Sequence, residues 1–241
     1  MRVGVFGAQG RMGRTVCEAV DADPELELVA RVDVGDDIDV MAAADAQVAV
    51  DFTHADAARG NARWCASHGI HAVIGTSGLT EADHDDLRTW FTSSNALVAP
   101  NFAIGAVLLV RLSELAATHF DTVEILEQHH DGKIDAPSGT AVHTAERLAA
   151  VKSSWSPDPT EKETLDHPRG AVGAGGIHIH AMRLRGIIAS QEVVFGTTGQ
   201  TMTIRHDTFD RTSFMPGVVL ACKQIAEHPG LTVGLDAYLG I

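Results

Sequence analysis

Positive charge is scarce in this chain: 18 Lys and Arg stand against 32 Asp and Glu in 241 residues, a formal charge of −14. Phosphate backbones are bound by clustered Lys and Arg, so this balance argues against a broad nucleic-acid surface. Any anion site must concentrate its cations locally. Cysteine is scarce as well. Cys17, Cys65 and Cys222 form no short disulfide framework, which makes a reduced setting the expectation. No apolar run approaches the roughly 20 residues that a bilayer span needs. The sequence starts directly with the strand-like Met1-Arg2-Val3-Gly4-Val5-Phe6 and shows no signal-peptide pattern, so a cytoplasmic protein without membrane or nucleic-acid partners is expected. What is present is globular in kind: 45% hydrophobic and 21% charged residues, enough for a sizeable core and against disorder.

In the first half, short apolar strands alternate with helices. Residues 1–6, 26–33, 47–52, 71–75 and 96–99 read as strands, with helices from the first glycine turn to about Ala22, over 55–68, and after Thr80. Thr80 is an N-cap, with Glu81 and Asp83 in the first turn beyond it. This order predicts a Rossmann-type, doubly wound parallel sheet covered on both faces. Around Asn101 the rhythm changes. A long apolar helix over 104–119 is followed by strands over 121–128, 177–185 and 191–206, the last broken by the turn Gly196-Thr197-Thr198-Gly199. Strands without intervening helices indicate a second α+β domain with a mixed open sheet. Residues 153–176, rich in Ser, Pro, Gly and charge, read as a mobile loop, and 215–228 as a closing helix.

Two constellations carry chemistry. The first is Gly7-Ala8-Gln9-Gly10-Arg11-Met12-Gly13, between the first strand and the first helix. Glycines there let the backbone turn tightly and approach a pyrophosphate, whose charge the helix N-terminus attracts. Twenty residues after Gly13, at the end of the second strand, Asp33 can accept hydrogen bonds from ribose hydroxyls. A dinucleotide site follows. Val34 stands where a 2′-phosphate would want Arg, while Arg11 and Arg14 could serve a phosphate, so NADH is favoured and NADPH stays open. Gly75-Thr76-Ser77-Gly78 and Ala99-Pro100-Asn101-Phe102 fall at the carboxyl ends of later strands, the edge where open α/β sheets bind ligands.

The second constellation is Glu127-Gln128-His129-His130-Asp131-Gly132-Lys133-Ile134-Asp135-Ala136-Pro137-Ser138-Gly139-Thr140-Ala141. A histidine can move a proton near neutral pH, and Lys133 adds a cation to the same pocket. Pro137-Ser138-Gly139-Thr140 opens a helix whose first N–H groups would hold an anion, with Gly139 permitting close approach. These anchors suit a small-molecule substrate that bears carboxylates.

The run E-x-H-H-x-x-K-x-D-A-P-S-G-T-A resembles the signature of the dihydrodipicolinate reductase family. The likeness covers nearly the whole chain: G-x-x-G-R-M-G, V-D-F-T at 50–53, G-T-S-G at 75–78, A-P-N-F at 99–102 and R-H-D-x-x-D-R-x-S-F at 205–214 occur in the family's order. The resemblance implies an NAD(P)H-dependent reduction of 4-hydroxy-tetrahydrodipicolinate (dihydrodipicolinate) to tetrahydrodipicolinate in the diaminopimelate route to lysine. It implies a homotetramer, with residues 1–103 and 213–241 binding the dinucleotide and 104–212 binding substrate and forming the oligomer. His129 matches the general acid/base, and Lys133 a second proton donor that also holds a carboxylate. His130, Ser138, Gly139 and Thr140 match substrate positions. Gly7, Ala8, Gln9, Gly10, Arg11, Met12, Asp33, Gly75, Thr76, Ser77, Ala99, Pro100, Asn101 and Phe102 match cofactor positions. Gln9 and Val34 depart from residues that some relatives carry, which leaves the choice between NADH and NADPH open.

Three rival readings fare less well. A thiolate enzyme would need a reactive cysteine, but all three fall in apolar helical surroundings. His178 and His180 share a strand face, yet no carboxylate or Cys accompanies them at ligand spacing in the sequence, so no metal is expected. A dinucleotide sensor would have no use for His129 and Lys133.

Overall fold

Strands buried on both faces of a parallel sheet need unbroken apolar runs. Val48-Ala49-Val50 and Val3-Gly4-Val5-Phe6 supply them, and all of these residues are buried. The computed structural model describes residues 1–241, which fall into two units: Met1–Ile104 with Arg211–Ile241, and Gly105–Asp210. In chain order the first unit holds β1 (Arg2–Phe6), α1 (Arg11–Ala22), β2 (Glu27–Val32), α2 (Val40–Ala43), β3 (Val48–Asp51), α3 (Ala55–Ser67), β4 (His71–Ile74), α4 (Glu81–Trp90) and β5 (Ala96–Val98). After α5 (Ile104–Ala117) the second unit continues with β6 (Thr122–His129), α6 (Gly139–Val151), β7 (Ala171–Val172), β8 (His178–Arg183), β9 (Ala189–Thr197) and β10 (Gln200–Thr208). The chain then returns to the first unit with α7 (Met215–Gln224), β11 (Leu231–Val233) and α8 (Asp236–Leu239).

The first sheet has the order β11-β5-β4-β3-β1-β2 and is parallel throughout. The order reverses between β1 and β3, the switch point at whose carboxyl edge such sheets bind ligands. Its core joins Phe6, Met41, Ala49, Ile74, Leu87 and Phe91. Thr80 caps α4 as its sequence position predicts, inside a full capping box: its hydroxyl accepts from the Asp83 N–H, and the Asp83 carboxylate accepts from the Thr80 N–H.

The second sheet has the order β10-β9-β6-β8-β7. It is mixed, since β6 and β8 run parallel while β6–β9, β9–β10 and β7–β8 are antiparallel. The turn between β9 and β10 is tighter than the sequence suggests: Thr197 pairs with Gln200, so only Thr198 and Gly199 form the loop, with Gly199 at φ +82°. Strand β6 alternates buried Val123, Ile125 and Glu127 with partly exposed neighbours. The buried face packs against α5 and α6 through Leu109, Val110, Ala145 and Leu148. The segment 153–176 is not all loop; it contains β7 and a 3-10 turn at Ala174–Gly176.

Candidate active site

In the first unit the glycine turn joins β1 to α1. Gly7 has φ +66°, a conformation that costs side-chain-bearing residues energy. Gly13 is fixed by contact: a Cβ there would lie 2.0 Å from the Gly7 carbonyl oxygen, so the helix is seated flush on the turn. No side chain caps α1, whose N-cap is Gly10, so its first-turn N–H groups are left for a ligand or water. Asp33 lies one residue past β2. Its Oδ2 accepts from the Gln9 N–H at 2.7 Å and its Oδ1 from the Val34 N–H at 2.8 Å, which places the carboxylate against the glycine turn. Those N–H groups, Val34 first and Gln9 second, with Arg14 nearby, hold the carboxyl below its ordinary pKa. Each oxygen keeps a lone pair for a ribose hydroxyl. Val34 is 97% exposed and adds no charge. This cradle fits a dinucleotide: a tight turn, a free helix N-terminus for the pyrophosphate and a carboxylate for the ribose.

The later turns are tied to it by a residue the sequence reading left without a role. Asp51, at the end of β3, is buried and has no cationic partner. It accepts from the Thr53 N–H (2.8 Å), the Thr53 hydroxyl (2.7 Å), the Asn61 amide (2.7 Å) and the Thr76 hydroxyl (2.9 Å). One carboxylate thus fixes both the 52–53 and the 75–78 turns. A Cβ on Gly75 would lie 2.1 Å from the Phe52 ring, so a larger residue there would have to displace that ring. Phe52 also meets Phe102, ring centroids 5.7 Å apart. Ala99 and Phe102 are buried, Pro100 and Ser77 exposed, and Asn101 accepts from the Ala103 N–H.

In the second unit the strand period of two puts Glu127 and His129 on the same face as Val123 and Ile125. Glu127 therefore carries a carboxylate where a hydrophobe would be expected, and its side chain is 0% exposed. Four donors converge on it. His129 Nδ1 lies 2.6 Å from Oε2, Arg183 from β8 donates through both terminal nitrogens at 2.9 Å, and the Ser138 N–H donates to Oε1 at 3.0 Å. Burial would raise the Glu127 pKa, but the Arg183 and His129 hydrogen bonds outweigh it and keep the carboxyl ionised. Burial pushes the His129 imidazole below its ordinary pKa; Glu127 opposes the shift, while Lys133 and Arg183 add to it. Lys133 Nζ holds both oxygens of Asp135, at 2.7 and 2.8 Å. Arg183 also donates to the Asp135 carbonyl at 2.6 Å, binding the loop after β6 to β8.

Ser138 caps α6, its hydroxyl accepting from the Ala141 N–H at 3.2 Å. A Cβ built on Gly139 meets nothing within 4 Å, so no neighbour in the protein requires glycine at this exposed helix start. His130 is exposed, with its N–H directed to the Ile188 carbonyl. Glu127 opens the second constellation without a role of its own in the sequence pattern, and Arg183 lies outside that pattern. The available signal for Glu127 was a carboxylate in phase with Val123 and Ile125; Arg183 lies 56 positions away along the chain and becomes its neighbour only through the β6–β8 register, which sets Arg183 opposite His129.

Cys17, Cys65 and Cys222 are buried, and burial pushes the Cys222 thiol up to about 12. His178 and His180 each meet a carboxylate, Asp158 at 3.0 Å and Glu124 at 2.7 Å, and no cluster of three or more His, Cys, Asp or Glu is arranged to hold a metal ion.

Comparison with known proteins agrees with this geometry in both units. Residues 1–102 match the family profile described as dihydrodipicolinate reductase, N-terminus, and residues 105–239 that described as dihydrodipicolinate reductase, C-terminus. The 4-hydroxy-tetrahydrodipicolinate reductase of Nocardia farcinica is 50% identical over 100% of this chain and 99% of its own length; that of Corynebacterium diphtheriae is 48% identical over the same shares. Among solved structures, the dipicolinate-bound dihydrodipicolinate reductase of Paenisporosarcina sp. TG-14 superposes with a TM-score of 0.89 and 37% identity, covering 98% of both chains. With matches that span both units and the full length, the chain belongs to the dihydrodipicolinate reductase family.

Proposed function

We propose that this protein reduces 4-hydroxy-tetrahydrodipicolinate to tetrahydrodipicolinate with a nicotinamide cofactor, the activity carried in the names of its relatives. The observation that carries the reading is the cluster in the second unit: an imidazole held at Nδ1 by a buried carboxylate, with Lys133 and an open helix start in the same loop. A bound NADH or NADPH supplies hydride to the unsaturated ring. The chain's own part begins with the substrate carboxylates. Lys133 exchanges Asp135 for one of them, and the N–H groups of Gly139 and Thr140 take the other, kept free because Ser138 caps the helix through its side chain. His130 lies on the same loop and completes the binding turn. A dicarboxylate ligand agrees with the dipicolinate bound to the Paenisporosarcina relative.

Hydride addition leaves an enamine carbon that must be protonated, and His129 Nε2 delivers that proton. Cofactor binding falls to Gly7 through Met12, Asp33, the 75–77 turn and the 99–102 turn, with Asp51 keeping the 52–53 and 75–78 turns in register. Asp33, with uncharged Val34 beside it, favours use of both nucleotides with NADH at least equal to NADPH. Residues 104–212 also form the contacts of a homotetramer in this reading. A cavity of about 480 Å³ on the second sheet, lined in part by Thr122, Glu124, Leu126, His180 and Val194, offers an uncovered face for it. Light scattering in solution tests the assembly. For the activity, an assay coupled to the synthase that makes the substrate should show loss of NADH and of NADPH absorbance. Oxidation of neither would overturn the proposal, and strong selectivity for NADPH would overturn the role given to Asp33.

A further inference from the structure

The contacts of Glu127 extend the mechanism by one residue that never meets the substrate. Its Oε2 receives His129 Nδ1 and one Arg183 nitrogen; its Oε1 receives the other Arg183 nitrogen and the Ser138 N–H. An ionised carboxylate only accepts, so Nδ1 facing it must carry a proton. The other ring nitrogen is then the one free to exchange protons with a ligand. The same carboxylate holds Ser138, the N-cap of α6, so the imidazole and the carboxylate-binding turn share one fixed reference.

We infer that Glu127 is a positioning residue for the reduction: it holds His129 with a proton on Nδ1 and thereby reserves Nε2 for the proton that is transferred. This rests on the reading of His129 as the proton donor. Hydride from the nicotinamide adds to one ring carbon, and the electron pair of the resulting enamine carbon takes the Nε2 proton. The Nε2–H bond breaks as the new C–H bond forms, and the imidazolium becomes neutral imidazole still protonated on Nδ1. That product is the tautomer the Glu127 contact requires, so the ring needs no flip, and one proton taken up from water at Nε2 restores the acid. Arg183 supports the arrangement by pairing both Glu127 oxygens, and its further bond to the Asp135 carbonyl ties in the Lys133 loop.

The pH behaviour has a defined sign. Activity needs a proton on Nε2, so it is present below the His129 pKa and lost as pH rises through it. The charged groups around the ring are Glu127 on its own strand, Arg183 on β8, and the Lys133–Asp135 pair in the following loop. Removing the Glu127 charge while both cations remain moves that limb to lower pH.

The test begins with the unmodified protein. Ring ¹⁵N shifts of His129, recorded above its titration, should report the Nδ1-protonated neutral form, whereas a free histidine prefers the proton on Nε2. An Nε2-protonated ring would overturn the inference without any variant having to fold. Glu127→Gln can turn its amide N–H toward Nδ1 and so favours the opposite tautomer. It should lower kcat by about 10²-fold, inside the about 10²–10⁴ that a positioned acid supplies. The same variant should shift the alkaline limb to lower pH and leave NADH affinity near normal, and Glu127→Asp, which keeps the charge, should recover much of that limb. A merely structural Glu127 would lower kcat without moving the limb or the tautomer. If His129→Gln keeps full activity, the parent reading fails; if His129→Gln is inactive while Glu127→Gln retains the wild-type kcat and limb, this inference alone fails.

Discussion

His129 ends β6 and Lys133 stands four residues on, in the loop that follows, and the two are held by different partners, a buried carboxylate and an exposed one, so their substitutions should separate accordingly. His129→Gln should lower kcat by about 10²–10⁴-fold, the contribution of a positioned acid, with NADH affinity unchanged because the glycine turn belongs to the other unit. Lys133→Ala should raise KM as well, by the loss of a charge-assisted contact of about 1.5–3 kcal/mol. Steady-state kinetics, cofactor titration and melting curves on the same preparations check both, and a loss of activity matched by a loss of Tm would reassign the pair to holding the loop. A second half-buried histidine contributes to stability against acid. Half-buried His71 accepts the Asn95 N–H on Nδ1 at 2.9 Å, and burial holds its pKa below the ordinary value. The unfolded chain binds the proton at about pH 6.5 and the native one only lower, so stability is full above that value and declines as pH falls through this window. His71→Asn, which keeps an acceptor but does not titrate there, should flatten the decline in Tm between about pH 7 and about pH 5. At this scale the sequence shows which residue types cluster. The pairing of Glu127 with Arg183 and of Asp51 with Thr76 arises only from strand register, which no local pattern records.

Helices and strands were legible where one period ran long enough to see. The capping box at Thr80 and the alternation of β6 are local signals, and both elements begin within a residue of their expected positions. Four short elements, α2, β7, β11 and α8, have no periodicity to read and form because the surrounding structure offers them a place, whereas the equally short β3, β4 and β5 are legible as apolar runs. Glycine shows the same split between local and tertiary causes. Gly13 and Gly139 both stand in the first turn of a helix, at the turns proposed to receive cofactor and substrate, yet for opposite reasons. A Cβ on Gly13 would meet backbone at 2.0 Å, which no side-chain rotation relieves; a Cβ on Gly139 would meet open space. Gly13→Ala should therefore push α1 away from β1, costing about 1–3 kcal/mol or more and weakening cofactor binding together with Tm. Gly139→Ala should leave stability within about 0.5 kcal/mol and instead raise KM for the dicarboxylate. Melting temperature and KM measured on both variants give the comparison; a Gly139→Ala protein with normal KM would remove the helix start from the binding turn.

At the scale of the whole chain, the two units differ in how they are assembled from sequence. The second is continuous, residues Gly105–Asp210, and closes its own core through Leu109, Ile125, Leu148, Ile179, Val193 and Phe195. The first is not. Its sheet ends at β5 until Leu231–Val233 adds β11 alongside, and Asn95 joins the two segments by donating to the Ile225 carbonyl and accepting from the Gly230 N–H. Lys223 on α7 pairs with Asp23 and Glu25, at 2.8 and 3.0 Å, beyond the end of α1. Val218, Ala221, Cys222 and Ile225 are fully buried. Without residues 211–241 the first segment would expose that contact surface, leave β5 as an open edge and lose core area that a unit of this size needs to offset its chain entropy. A fragment 1–104 should then fail to melt cooperatively, and adding a peptide of residues 211–241 should restore the transition. A fragment 105–210 should melt cooperatively by itself. Circular dichroism with denaturant titration reads all three. A cooperative transition of 1–104 alone, at the stability it shows with the peptide, would mean that the returning segment decorates a finished sheet rather than completing it.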